Sequence, residues 1–133
     1  MKINLYTDGG SRNNPGPAAI GGVAFDDKNI EVFKFTKYLG QKTNNQAEYL
    51  GLIEGLKKSQ EVGAKEVNCF LDSELVVKQL NGLYKIKHEE LKPLAFEVKE
   101  LLNNFEKVTF TAVLREKNKI ADKLVNEALD ENI

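Results

Sequence analysis

The sequence predicts an α/β fold: one mixed five-stranded sheet, its first three strands antiparallel, with helices packed on it. Three observations carry that expectation. Strand-period stretches fill the first third of the chain, segments with helical spacing then alternate with short apolar runs, and turn-forming residues mark the boundaries. At 133 residues the chain has the length of about one domain, and a domain near that size buries roughly 68% of its unfolded surface, enough for one core.

Each element follows from its own pattern. "KINLYT" alternates Ile3, Leu5 and Thr7 against Asn4, Tyr6 and Asp8, a strand with Asp8 at its end, and "PGP" at Pro15 to Pro17 closes the loop that follows. "AAIGGVAF" and "IEVFKFTKYL" flank the turn-like "DDKN" and read as a hairpin. In "NNQAEYLGLIEGLKKSQEVG", Tyr49, Leu52, Ile53 and Leu56 recur at helical spacing and Gly63 supplies the stop. "EVNCFL" is a short, nearly continuous apolar run, as expected of a strand covered on both faces. "DSELVVKQLNG" reads as a helix capped by Asp72 or Ser73 and closed near Gly82. "HEELKPLAFEVKELLNNF" sets Leu91, Leu94, Val98, Leu101 and Phe105 on one face, with Pro93 tolerated in the first turn. "KVTFTAVLRE" alternates Val108, Phe110, Ala112 and Leu114 as a strand, and "NKIADKLVNEALDEN" is a final helix with Ile120, Leu124 and Val125 inward. The order is β-β-β-α-β-α-α-β-α. No repeat, low-complexity tract or linker divides it, so residues 1–133 are expected to form a single domain.

Composition removes several classes of function. With 41% hydrophobic and 29% charged residues the chain is an ordinary globular protein. A net charge of −1 lacks the strong basic signature of a protein held on nucleic acid by charge alone. "MKINLYTDGG" has no signal-peptide pattern, and no segment offers the roughly 18 apolar residues of a membrane span. A cytoplasmic protein without a membrane partner or an obligate protein partner is therefore expected. The single cysteine, Cys69, lies in an apolar run and is read as core packing; the single histidine, His88, lies in the charged stretch "KIKHEEL" and is read as an exposed loop residue. One Cys and one His do not make a structural zinc site, and no base stands ready for a nucleophilic triad. "DGGSRNNPG" is not a Walker loop, because the terminal Lys-Ser/Thr is missing, although its glycines allow close approach of the backbone to a phosphate or sugar.

The chemistry must then come from carboxylates. Asp8 and Asp72 end two strands, while Glu48 and Asp122 fall in the first turns of two helices. Such positions can converge on one edge of an α/β sheet, where binding crevices lie; a cap or dipole partner is the alternative for each acid alone. Glu48 stands out, because it shares a helical stripe with Gly51, Gly55 and Ser59. Each helical glycine costs about 1 kcal/mol relative to Ala, which close approach to the sheet would explain. A helix drawn in along that stripe holds Glu48 over the sheet edge. Clustered carboxylates are hard oxygen ligands, suited to Mg²⁺ or Mn²⁺.

Taken together, "TDGGSRNNPGPAAIG", "TNNQAEYLGLIEGL", "LDSELVVKQLNG" and "REKNKIADKLVNEAL" resemble the ribonuclease HI family in residue type, order and spacing, from about Ile3 to Leu129. The resemblance implies the ribonuclease H-like fold, with helices on both faces of the sheet. It further implies hydrolysis of the RNA strand of an RNA/DNA hybrid, leaving 5′-phosphate and 3′-hydroxyl ends. Asp8, Glu48, Asp72 and Asp122 match the four acids that hold two Mg²⁺ ions about 4 Å apart in that family, with Mn²⁺ as a substitute. By that analogy Asp8 bridges both ions, Asp122 helps hold the one that activates water, and Glu48 with Asp72 holds the other. The implied substrate contacts are Asn14, Asn44 and Asn45, the backbone at Gly9 and Gly10, and Glu74.

Three departures from the family pattern stand out. Glu74 replaces a familiar Gln, so it can accept but not donate a hydrogen bond. In place of the basic, Trp-containing protrusion of many bacterial members the chain has "LYKIKHEELKP", where Tyr84, Lys85 and Lys87 supply either a smaller DNA-strand contact or a solvated loop. Where familiar members have a loop histidine, "REKNKIAD" offers Arg115, Lys117 and Asn118. Arg115 cannot shuttle protons, because guanidinium does not deprotonate; its role is either to stabilise phosphate charge and assist product release, or to form a surface ion pair. Two rival readings are a noncatalytic nucleic-acid binding domain of the same fold and a nuclease with a different RNA target.

Overall fold

The central strand is β1 (Lys2–Ser11), and a computed structural model describing residues 1–133 builds the sheet outward from it. On one side β1 pairs antiparallel with β2 (Gly16–Phe25), which pairs antiparallel with β3 (Glu31–Lys42). On the other side β4 (Glu66–Leu71) and β5 (Lys107–Ala112) join in parallel, so the order is β3-β2-β1-β4-β5. Five strands, with the first three antiparallel, are what the periodicity predicts. The "DDKN" turn closes on the Asp26 carboxylate, which accepts the N–H groups of Lys28 and Ile30 at 2.8 and 3.0 Å. Asn29 takes the positive φ of 62° that the turn requires.

Four helices cover the sheet. α1 (Asn44–Glu61) begins with a reciprocal capping box: the Thr43 side chain accepts the Gln46 N–H, and the Gln46 side chain accepts the Thr43 N–H. α2 (Glu74–Leu80) is capped by Ser73, whose hydroxyl accepts the Val76 N–H at 3.3 Å, and Gly82 at φ 77° ends the segment. α3 (Lys92–Leu102) follows a single 3-10 turn at Glu89–Leu91 and presents the predicted face, burying Leu91 and Val98 and leaving Phe96 outside. α4 (Lys119–Asn132) lies alone on the opposite face, over β2, β3 and part of β1. No helix is long and apolar enough to cross a membrane.

The main core lies between α1, α2, α3 and the sheet face carrying Ile3, Leu5, Val67, Cys69 and Leu71. Cys69 is wholly buried there, as predicted, and burial pushes its thiol pKa up. The other face is only partly covered, which corrects one expectation. β4 alternates buried and half-buried residues instead of being covered on both sides. α4 seats itself over β2 and β3, so the outer residues of β4 are left to satisfy one another. Asn68 donates to Asn4 at 3.0 Å and accepts from Thr109 at 2.9 Å, and Phe70 stacks on Tyr6 with centroids 4.9 Å apart. Three residues of the predicted apolar patterns are also exposed. Ile120 lies at the edge of the α4 stripe formed by Ala121, Leu124, Val125, Ala128 and Leu129, and β5 stops at Ala112, leaving Ala112 and Leu114 in solvent.

The glycine stripe positions α1. A Cβ at Gly51 would stand 2.7 Å from the Asp8 carbonyl oxygen, so only glycine lets this helix rest on β1 at that depth. The helix gives up about 1 kcal/mol at each glycine, whereas burying Leu52, Ile53 and Leu56 contributes about 1.5–3 kcal/mol each. Burial wins. Gly51→Ala should therefore destabilise the chain by about 1–3 kcal/mol despite the better helix former, because the obstacle is backbone. Urea denaturation checks this; equal or greater stability would mean that α1 can shift freely on β1.

Candidate active site

The site forms where β1 and β4 part. Their pairing ends at Tyr6↔Phe70, but β1 does not stop at Asp8: it continues to Ser11 on β2 alone, with Asp8 opposite Gly21. β4 ends at Leu71, and Asp72 follows at once. Into this fork comes Glu48, the fifth residue of α1 and thus in its second turn; the first turn holds no acid, which removes the cap and dipole reading for this residue. Asp122 does lie in the first turn of α4.

Three of the four acids converge. Asp8, Glu48 and Asp72 each bring one carboxylate oxygen within 4.8 Å of the others. Asp122 stands outside that trio but lines the same open cavity of about 440 Å³, together with Gly9, Gly10, Asn44, Asn45 and Arg115. The Gly9 N–H is shared, donating to Asp8 Oδ1 at 2.9 Å and to Glu48 Oε1 at 2.6 Å. Asp8 and Glu48 are only 8% and 5% exposed, and Glu48 Oε2 and Asp72 Oδ2 have no hydrogen-bond partner.

Burial and mutual repulsion set the electrostatics. Desolvation pushes the Asp8 pKa up to about 6; the adjoining Glu48 carboxyl and the Gly9 N–H oppose this, while Asp72 and Asp122 add to it. Glu48 is raised well above the usual carboxylate range, first by burial and then by the adjoining Asp8 carboxylate. Asp72 is raised by burial, and the Arg115 guanidinium pulls it back. Arg115 Nε lies 3.9 Å from Asp72 Oδ2, and its side chain is 82% exposed. An ion pair so open to water contributes about 0–1 kcal/mol to stability, so its position at the cavity matters more than its strength.

The other predicted residues divide. Asn14 and Asn44 link the β1–β2 turn to the start of α1: Asn14 Oδ1 accepts the Asn44 N–H at 3.0 Å, and Asn44 Oδ1 accepts the Ser11 N–H at 2.8 Å. Asn14 lies outside the cavity lining, whereas Asn44 and Asn45 are part of it. Glu74 is not part of it; it pairs with Lys78 at 3.4 Å on the exposed side of α2. Tyr84, Lys85, Lys87 and His88 line a separate groove beside α2, with His88 exposed as predicted. One residue was not singled out from sequence. Arg12 lines the acidic cavity while held by Asp130 at 2.6 Å, and its signal was that it is the only basic residue in the glycine-rich turn. Asn118, named with Arg115 and Lys117 in "REKNKIAD", is buried at the start of α4 and is not part of the cavity lining.

Comparison with known proteins places this geometry. Residues 6–128 match the family described as "Reverse transcriptase-like". The chain is 41% identical over 131 residues to the bifunctional protein Rv2228c of Mycobacterium tuberculosis, covering 98% of this chain and 36% of that protein. It is 39% identical over 130 residues to ribonuclease HI of Halobacterium salinarum, covering 98% of this chain and 65% of that protein. The chain thus spans about one third to two thirds of the length of these relatives. Among solved structures, RNase H1 from Halobacterium salinarum superposes with a TM-score of 0.96 at 39% identity, covering 98% of this chain and 99% of that one. LC11-RNase H1 in complex with an RNA/DNA hybrid superposes with a TM-score of 0.92 at 42% identity, covering 97% of each chain. A likeness of this extent, carried by the same sheet and helices from one end of the chain to the other, makes the chain a member of the ribonuclease HI family.

Proposed function

We propose that the chain is a ribonuclease H that cuts the RNA strand of an RNA/DNA hybrid, with divalent cations held by Asp8, Glu48, Asp72 and Asp122. The observation that carries this reading is the trio of carboxylate oxygens within 4.8 Å, two of its members almost wholly buried, in a chain 42% identical to a ribonuclease H1 solved with a hybrid. The donor set fits a hard cation. Buried acids of one sign without partners for Glu48 Oε2 and Asp72 Oδ2 are unfavourable as they stand, and a cation satisfies both the charge and the open lone pairs. When bound, two such ions would activate water and stabilise the leaving oxygen. We take Mg²⁺ as the ion, with Mn²⁺ as its substitute.

The chain's own residues supply the rest. Gly9 holds Asp8 and Glu48 in fixed orientation through its shared N–H. The reaction is attack of water on the phosphorus with departure of the 3′-oxygen, which yields 5′-phosphate and 3′-hydroxyl ends. Arg115, beside Asp72 at the cavity mouth, offers its guanidinium to the charge that builds on the phosphate oxygens. Asn44, Asn45 and the Gly9–Gly10 backbone line the cavity where a 2′-hydroxyl would distinguish RNA from DNA, with Asn14 bracing Asn44. Glu74 on α2 and the groove at Tyr84, Lys85 and Lys87 are assigned to outer contacts with the duplex.

Three measurements test this reading. With end-labelled duplexes and Mg²⁺, the wild type should cut only the RNA strand of RNA/DNA, EDTA should stop it, and Asp72→Asn should lower the rate roughly a hundredfold or more. Binding of the hybrid without cutting in Mg²⁺ or Mn²⁺ would favour a noncatalytic domain. Arg115→Ala should lower turnover roughly tenfold, the equivalent of one charge-assisted hydrogen bond, and unchanged turnover would leave Arg115 as a surface ion pair. The third test is stability. Asp8 moves from 3.8 to about 6 on folding, so below its unfolded pKa the carboxyl is neutral in both states and carries no penalty. The penalty grows as pH rises toward the folded value. Metal-free protein should therefore lose stability between about pH 4 and 6, and Asp8→Asn should raise its Tm at pH 7 but not at pH 4. Millimolar Mg²⁺ should raise the wild-type Tm at pH 7 by about 2–8 °C for each kcal/mol of binding, and Asp8→Asn should lose most of that rise. A Tm insensitive to Mg²⁺ would count against an assembled cation site.

A further inference from the structure

Asn118 is 1% exposed, although Arg115, Glu116, Lys117, Lys119 and Ile120 around it are open to solvent. Asn is favoured at helix N-caps because its side-chain oxygen accepts an N–H of the first turn. Asn118 occupies that position in α4, and its backbone carbonyl accepts the Asp122 N–H at 3.1 Å, but its side chain makes no cap hydrogen bond. The amide turns inward instead. Nδ2 donates to the Thr7 carbonyl at 2.9 Å, in the peptide that leads into Asp8 and one residue past the last β1–β4 pair. Meanwhile Asn118 Oδ1 is buried without a partner. An orphaned amide oxygen is unfavourable.

We propose that Asn118 is a positioning residue for the carboxylate cluster: from the start of the helix that bears Asp122, its neutral side chain crosses to the strand that bears Asp8 and ties the two together. The inference rests on the cation-binding reading above. Four acids of one sign push apart, and the fork has no β1–β4 pairing to resist them. Through one N–H donor the Asn118 amide joins the supports of two of the acids, Asp8 and Asp122, and adds no charge. Glu48 is held by the Gly9 N–H.

The test compares Asn118→Ala with Asn118→Ser. Serine is a good N-cap, so Asn118→Ser keeps the start of α4 while removing the cross-link. Mn²⁺ is titrated calorimetrically into each folded chain, with folding followed by circular dichroism, and hybrid affinity is measured in EDTA. Both variants should bind Mn²⁺ about tenfold to a hundredfold more weakly, the scale set by residues that orient metal ligands. Turnover should fall, while KM and EDTA hybrid affinity stay within about twofold. Should Asn118→Ala fail to fold, Asn118→Ser decides. A folded Asn118→Ser with wild-type Mn²⁺ affinity overturns the proposal even if its Tm is lower. A wild type that takes up no Mn²⁺ overturns the cation reading and this inference with it.

Discussion

Asp8 and Glu48 share one backbone N–H, that of Gly9, in a place where water scarcely reaches them. Two carboxylates at that spacing repel, and burial strengthens the repulsion by lowering the local dielectric. They stay together because the elements that carry them cannot separate without giving up the core. α1 is pinned by Leu52, Ile53 and Leu56, and β1 is paired with β2 along its length. The favourable burial of apolar side chains thus stabilises an arrangement that is locally unfavourable. Stored repulsion of this kind is what a cation would relieve.

The sheet topology decides where that can happen. A strand with neighbours on both sides has its backbone groups satisfied and leaves no room for a ligand. β1 has two neighbours from Asn4 to Tyr6 and only β2 thereafter. The fork that opens exposes one edge of β1 beside the end of β4, and it brings Asp72 near Asp8 although 64 residues separate them. Open α/β sheets place ligands at such divergences for the same reason. α4, alone on the opposite face, then contributes Asp122 from its first turn and Asn118 from its cap position. Its solitary place also accounts for the exposed outer side of β4, where an Asn–Asn–Thr ladder and a Tyr–Phe stack stand in for a covering helix.

Much of this was legible in the residues. Period-two alternation in "KINLYT" marked Ile3 and Leu5 as inward, and both are wholly buried. Helical spacing located α1 and α3, because an apolar face must recur every 3.6 residues whatever it packs against. The Glu48–Gly51–Gly55–Ser59 stripe announced close approach, since glycine in a helix is otherwise unfavourable. Pattern failed where the outcome depended on a neighbour distant in sequence. Ile120 looked inward by hydrophobicity, but α4 passes the edge of its packing surface there. Leu114 continued an alternation whose strand had already lost its partner. Glu74 and Asn14 lie outside the acidic cavity because one pairs with Lys78 and the other braces Asn44.

The sequence by itself determined the order of elements, the inward faces of strands and helices, and four acids at places where such elements begin or end. These are local properties, settled by backbone sterics and by apolar periodicity within a few residues. Only the tertiary structure decided which acids meet. Asp8, Glu48 and Asp72 converge while Asp122 stands apart in the same cavity, because the helices and strands that carry them are fixed by packing across the whole sheet. It likewise decided the fate of Asn118. A cap residue becomes a cross-link when the carbonyl beside Asp8 offers a buried acceptor, and no reading of "KNKIAD" alone could supply that partner.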